Sequence, residues 1–341
     1  MMYFKKFVLA AMMVLLVIFV AACGSSQQES KSADDTKQAQ APVTIKLAHV
    51  VNEKDAFQIA ALKFKELVEK GTNGQVKIEI YPNATLGDER TLVEGMQVGT
   101  VDMGIITDGP IANFLPEIAA FEMPFLFTSS EEAYKVLDGP VGQKVLDKLD
   151  TVNLKGLAFA ERGFRNLTNS KHPVNTPADV AGLKIRVMEN PVYIDTFKAL
   201  GANAVPMAWT EALTALQQGT IDGQENPINV IYAFKLNETQ KYLSITKHSY
   251  APATILMSKK LFDSFPKETQ DILVKSAKDA AAYEREWNAS QMADQIKALK
   301  EGGMEIIEPD LAPFQEAVKP VYEKYGPKFG DLIDQINAAK K

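Results

Sequence analysis

Two arginines carry the most pointed chemistry in this sequence. Arg165 stands in Gly163-Phe-Arg-Asn-Leu-Thr-Asn169, and Arg186 in Gly182-Leu-Lys-Ile-Arg-Val187. A guanidinium keeps its charge, so a partly buried one requires an anion. A small carboxylate ligand would meet that need with two parallel hydrogen bonds. Asp195, Glu211 and Glu225 could meet it from within the chain. The residues alone leave each arginine open between ligand anchor and structural ion pair. Trp209 follows Pro206 and opens a predicted helix, which suits a pocket wall or core packing. Asn226 stands beside Pro227 at a strand end, which suits a ligand-facing loop or an ordinary turn.

Other chemistries lack their residue sets. The three histidines, His49, His172 and His248, have no metal-ligand spacing and read as surface or packing residues. Gly99-Thr-Val-Asp-Met-Gly104 has the wrong spacing for a dinucleotide or phosphate loop. No Gly-x-Ser-x-Gly elbow occurs, and no carboxylate pair assembles into a catalytic set. The chain therefore reads as a non-enzyme without a cofactor. Its net charge is −6, and adjacent basic residues occur only as the isolated pairs Lys5-Lys6, Lys259-Lys260 and Lys340-Lys341, so no nucleic-acid footprint is expected.

The elements that must position these residues follow an α/β rhythm. Strands are expected at 44–50, 75–81 and 101–107, with helices at 54–70 and 89–98 between them. Gly71 is expected to close the first helix. Met96-Gln-Val-Gly-Thr-Val-Asp102 matches Leu216-Gln-Gln-Gly-Thr-Ile-Asp222 at an offset of 120 residues. Two similar units in one chain suggest two lobes across a cleft. Between Pro266 and Gly302 there is neither Pro nor Gly, which predicts one long helix able to brace both lobes. A strand at 304–307 and two closing helices, split at Gly326-Pro327, complete the chain.

The start of the chain reads as a leader. Lys5 and Lys6 precede an apolar run from Phe7 to Val20, short for a membrane span and suited to a signal peptide. It ends in Ala-Ala-Cys23-Gly24, which resembles a bacterial lipobox. Cys23 is the only cysteine, so no internal disulfide is possible. Residues 24–42 lack the large apolar side chains a fold needs and read as a tether.

From Val43 onward the chain resembles the substrate-binding proteins of tripartite ATP-independent periplasmic (TRAP) transporters, the DctP family. The motifs are Ile80-Tyr-Pro82, Leu86-Gly-Asp-Glu-Arg90, Arg165-Asn-Leu-Thr-Asn-Ser170, Asp179-Val-Ala-Gly-Leu-Lys-Ile-Arg186, Pro206-Met-Ala-Trp209 and Asp222-Gly-Gln-Glu-Asn-Pro227. Jointly they are specific. The resemblance implies a two-lobed periplasmic-binding-protein type II-like fold with a hinge and a long helix spanning both lobes. Lobe I would hold residues 43–162 plus about 252–291, and lobe II residues 163–251 plus about 292–341. The family's carboxylate-anchoring arginine falls on Arg186 and a supporting one on Arg165. Family pocket positions fall on Glu89, Trp209 and Asn226.

Two departures bear on the ligand. The spacing between the arginines is one residue longer than in the sialic-acid-binding members, and Val187-Met-Glu-Asn190 replaces a more polar set. Both point to a smaller acid: a C4-dicarboxylate, another organic acid or a sugar acid. The implied partners are a small and a large membrane subunit, driven by an ion gradient, with a lipid on Cys23 holding the binder nearby. Monomer is the default state. The rival readings are the binding subunit of an ATP-driven transporter, a sensor subunit and a secreted hydrolase.

Overall fold

A computed structural model describes residues 42–341; the leader, Cys23 and the tether through residue 41 lie outside the described residues. The chain enters on β1 (Val43–Ala48), α1 (Ala56–Gly71), β2 (Val76–Tyr81), α2 (Glu89–Val98) and β3 (Met103–Thr107). Asp55 caps α1 by accepting from the Phe57 amide. The buried stripe Phe57, Ala60, Ala61, Phe64 and Val68 recurs at helical spacing. Each of its two phenyl rings stabilises by about 1.5–3 kcal/mol on burial. Gly71 is the last residue of this helix, where closure was expected, although its own backbone is not left-handed. The turn that follows puts Asn73 and Gly74 in the left-handed region instead.

Short helices α3 (Asp108–Ile111), α4 (Ser130–Leu137) and α5 (Pro140–Lys148) lead to the long strand β4 (Leu154–Asn169). A second unit follows: β5 (Lys184–Val187), α6 (Pro191–Ala199), β6 (Asn203–Pro206), α7 (Trp209–Gln217) and β7 (Gly223–Asn226). Then come α8 (Ile228–Ala233), the long strand β8 (Tyr242–Ser258), α9 (Lys259–Asp263), α10 (Lys267–Glu301) and β9 (Glu305–Ile307). Three helices close the chain, α11 (Ala312–Ala317), α12 (Lys319–Phe329) and α13 (Leu332–Ala339). Two were expected there. Gly326-Pro327 lies inside α12, and the break falls at Gly330, which has φ 58°.

The 120-residue echo is structural. Helices α2 and α7 begin at that offset, on Glu89 and Trp209. After each, a left-handed glycine, Gly99 or Gly219, is followed by a threonine whose amide closes on the carbonyl of Gly95 or Ala215. Val101 also bonds Gly95, so β3 starts two residues later than its apolar run suggests. Asp102 Oδ2 then accepts from the Lys46 amide of β1 at 2.9 Å, and Asp222 Oδ2 from the Lys184 amide of β5 at 2.8 Å. Each aspartate ties its own unit's central strand in place.

One sheet runs β2-β1-β3-β8-β4-β7-β5-β6, with β9 beside β8. Both three-stranded units are parallel. The antiparallel ribbon β4–β8 joins them: β3 pairs with Ala253–Met257 of β8, and β7 with Asn166–Asn169 of β4. Register shifts at Glu161/Gly163 and Arg165/Leu167 interrupt the ribbon between these attachments. Helix α10, 35 residues and about 50 Å long, packs on α1, β4 and α8. Its Glu284 accepts from the Glu161 amide at 3.0 Å, and its Arg285 donates to the Phe159 carbonyl at 2.8 Å.

Candidate functional site

Arg186 sits on β5 between β6 and β7, opposite Val205 and Gln224. It is 4% exposed. Its Nε and one terminal nitrogen donate to the Met207 carbonyl at 2.9 and 2.7 Å, which fixes the plane of the guanidinium. The other terminal nitrogen has no hydrogen-bond partner, and no carboxylate lies within ion-pair distance, among the described residues. Burial pushes its pKa down to about 10, with Arg165 adding to the fall and Glu225 and Glu89 opposing it. Three units above neutrality, it stays cationic.

Arg165 has a different environment. It is buried against Glu225 of β7, held by Nε and by a terminal nitrogen that reaches Oε1 at 2.8 Å and the Glu225 carbonyl at 2.6 Å. Its guanidinium lies 5.5 Å from the Tyr193 ring. Burial raises the Glu225 carboxyl, but Arg165 and His248 outweigh that and leave it below the usual range. Burial holds His248 below its ordinary value despite Glu225, so the ring is neutral at pH 7. The consistent tautomer donates from Nε2 to Glu225 at 3.2 Å and accepts from Thr246 at Nδ1, 2.8 Å away. Of the three acids proposed for the arginines, Glu225 takes Arg165; Asp195 binds Lys324 and Tyr325 instead.

Glu89, Arg186 and Trp209 line one space, together with Val50, Pro110 and Met188. It is narrow, with room for about 10 Å³, roughly one water. Glu89 accepts from the Thr107 amide at 2.7 Å. Burial raises its carboxyl, partly offset by that bond and by Arg162 and Arg186. Trp209 lies 5.6 Å from the Arg186 guanidinium, and its buried Nε1 has no partner among the described residues. Trp209 also opens α7, which no side chain caps. An uncapped helix start presents amides and a partial positive charge to an anion. Arg186 and the start of α7 thus offer unclaimed donors to one place, and the unpartnered indole N–H of Trp209 is buried beside it.

Asn226 and Arg165 do not line this space. Asn226 is buried on β7, its amide nitrogen on Gln224 Oε1 at 2.6 Å. The sequence reading missed two buried carboxyls nearby, Asp108 and Glu122. Burial, together with Glu89, pushes Asp108 up to about 8, although Thr254 donates to it at 2.7 Å. Burial raises Glu122 well above the carboxylate range, aided by Asp108. Asn190 and Tyr193 donate to it.

An open α/β sheet of two like units, joined by a two-stranded ribbon and holding unclaimed anion donors, is the architecture expected of a solute-binding protein. The sequence model described as bacterial extracellular solute-binding protein, family 7 (DctP) matches residues 47–328. The chain is 37% identical over 302 residues to the 2,3-diketo-L-gulonate-binding periplasmic protein YiaO of Escherichia coli, covering 87% of this chain and 92% of that one. A TRAP periplasmic solute-binding protein of Polaromonas sp. JS666, solved bound to D-erythronate, is 39% identical with TM-score 0.85, over 87% of this chain and 98% of that one. A sugar-acid-binding protein of Advenella mimigardefordensis, solved with galactonate, is 36% identical with TM-score 0.85, over 88% and 98%. The chain belongs to this family of TRAP transporter solute-binding proteins, which bind and deliver solutes and are not enzymes.

Proposed function

We propose that this protein captures a sugar acid on Arg186 and delivers it to the small and large membrane subunits of a TRAP transporter. The observation that carries this is Arg186 itself: a buried, fixed cation without an internal carboxylate. A ligand carboxylate accepts from its free terminal nitrogen and from the donors at Trp209 and the start of α7. Arg165 acts from behind, holding Glu225 in place. Glu89 supports a polyhydroxy acid over a dicarboxylate. A carboxyl in the same space accepts readily from a hydroxyl and repels a second ligand carboxylate. Three of the relatives bind D-erythronate, galactonate and 2,3-diketo-L-gulonate, all acids of this class.

Room for about one water is far too little for such a ligand. Capture therefore requires the two units, as lobes I and II, to part and reclose at the β4–β8 register shifts, bringing Asn226 onto the ligand. A lipid on Cys23 holds the binder beside its membrane partners. Calorimetry against D-galactonate, D-erythronate and succinate tests the ligand class: the two sugar acids bind at least about tenfold more tightly than succinate. Preference for succinate would shift the reading to C4-dicarboxylates. Cys23→Ser releases the protein from membranes; continued attachment would remove the anchor.

A further inference from the structure

β4 also borders a second cavity, of about 600 Å³. Arg165 and Asn166 are neighbours in the strand, yet Arg165 is sealed against Glu225 while Asn166 lines this cavity. It shares no lining residue with the space at Arg186. Asn229, the second residue of α8, lines it while only 3% exposed. Neither Nδ2 nor Oδ1 of Asn229 pairs with a protein group among the described residues. Buried amides are ordinarily matched at both ends. Phe164, Met292 and Ile296 supply an apolar wall. Three carboxyls, Glu131, Glu161 and Glu308, line the cavity against one ammonium, that of Lys247.

We infer that this cavity is a second ligand site, for a small organic amine that carries an acceptor oxygen beside its ammonium group and an apolar body. The ammonium donates to Asn229 Oδ1 and is drawn by the acidic lining. The adjacent oxygen accepts from Asn229 Nδ2, and the apolar body lies on Phe164, Met292 and Ile296. The site stands or falls independently of the sugar-acid reading.

L-leucinamide has this pattern of groups and serves as the probe, at about pH 6.5 where its amine is charged. In an NMR titration, the Asn229 side-chain amide signals shift saturably. N-acetyl-L-leucinamide, which lacks the charge, binds at least about tenfold more weakly. Asn229→Leu abolishes leucinamide binding and leaves D-galactonate affinity unchanged. Should that variant fold poorly, Met292→Lys at a half-exposed lining position sets a like charge there and weakens leucinamide about fivefold or more. No saturable shift at Asn229 up to about 10 mM probe, far above specific affinities, would mean the cavity holds solvent only. Equal binding of the charged and acetylated probes would overturn the amine assignment.

Discussion

Glu89 and Trp209 occupy equivalent positions, each the first residue of its helix and 120 residues apart, and both line the space that holds Arg186. The internal repeat thus delivers one helix start from each unit to the proposed anion site. One brings an acceptor and the other donors, so under the proposed function the two units contribute unlike chemistry to one ligand.

Trp209 reports directly on that site. The protein has two tryptophans, Trp209 and Trp287 on α10. A carboxylate on Arg186 alters the charge 5.6 Å from the Trp209 ring. Ligand-dependent fluorescence is expected to persist in Trp287→Phe and vanish in Trp209→Phe. The opposite pattern would place the ligand elsewhere.

Glu225 anchors Arg165 by two side-chain contacts in a fully buried pair. Glu225→Gln leaves an uncompensated buried cation, so unfolding stability falls by about 3–5 kcal/mol. Denaturant melts measure this. A loss below about 1 kcal/mol would show the pair to be dispensable.

Asp108 sets a pH dependence of opposite sign to most carboxylates. Its folded pKa, about 8, stands above the unfolded value. Folding therefore holds its proton, and this contribution is complete below about pH 4 and lost as pH rises toward 8. The slope is at most about 1.4 kcal/mol per pH unit. Asp108→Asn should flatten the stability profile between about pH 4 and 8 relative to the parent. Parallel profiles would mean Asp108 ionises normally in the fold.

Much of this was legible in the residues. Helix α2 follows from Asp88 as cap and Gly99 as left-handed stop. Helix α10 follows from its lack of Pro and Gly. The repeat announced itself through Gly99, Thr100 and Asp102 against Gly219, Thr220 and Asp222, because each of those residues performs a backbone task that its type dictates. Arg186 was legible as a cation in search of an anion. Which acid claims Arg165 was not, because Asp195, Glu211 and Glu225 differ in what the fold brings near them. Asp108 and Glu122 were also hidden. Asp108 begins a helix and resembles an ordinary first-turn acid; only tertiary burial sets it apart.

The most direct test is calorimetry of D-galactonate binding to Arg186→Lys beside the parent protein. Lysine keeps the charge but cannot hold the Met207 carbonyl and a ligand oxygen in one plane. Loss of that geometry is expected to cost about 2–5 kcal/mol, a Kd at least about thirtyfold weaker. A Kd within about threefold of the parent would contradict the account.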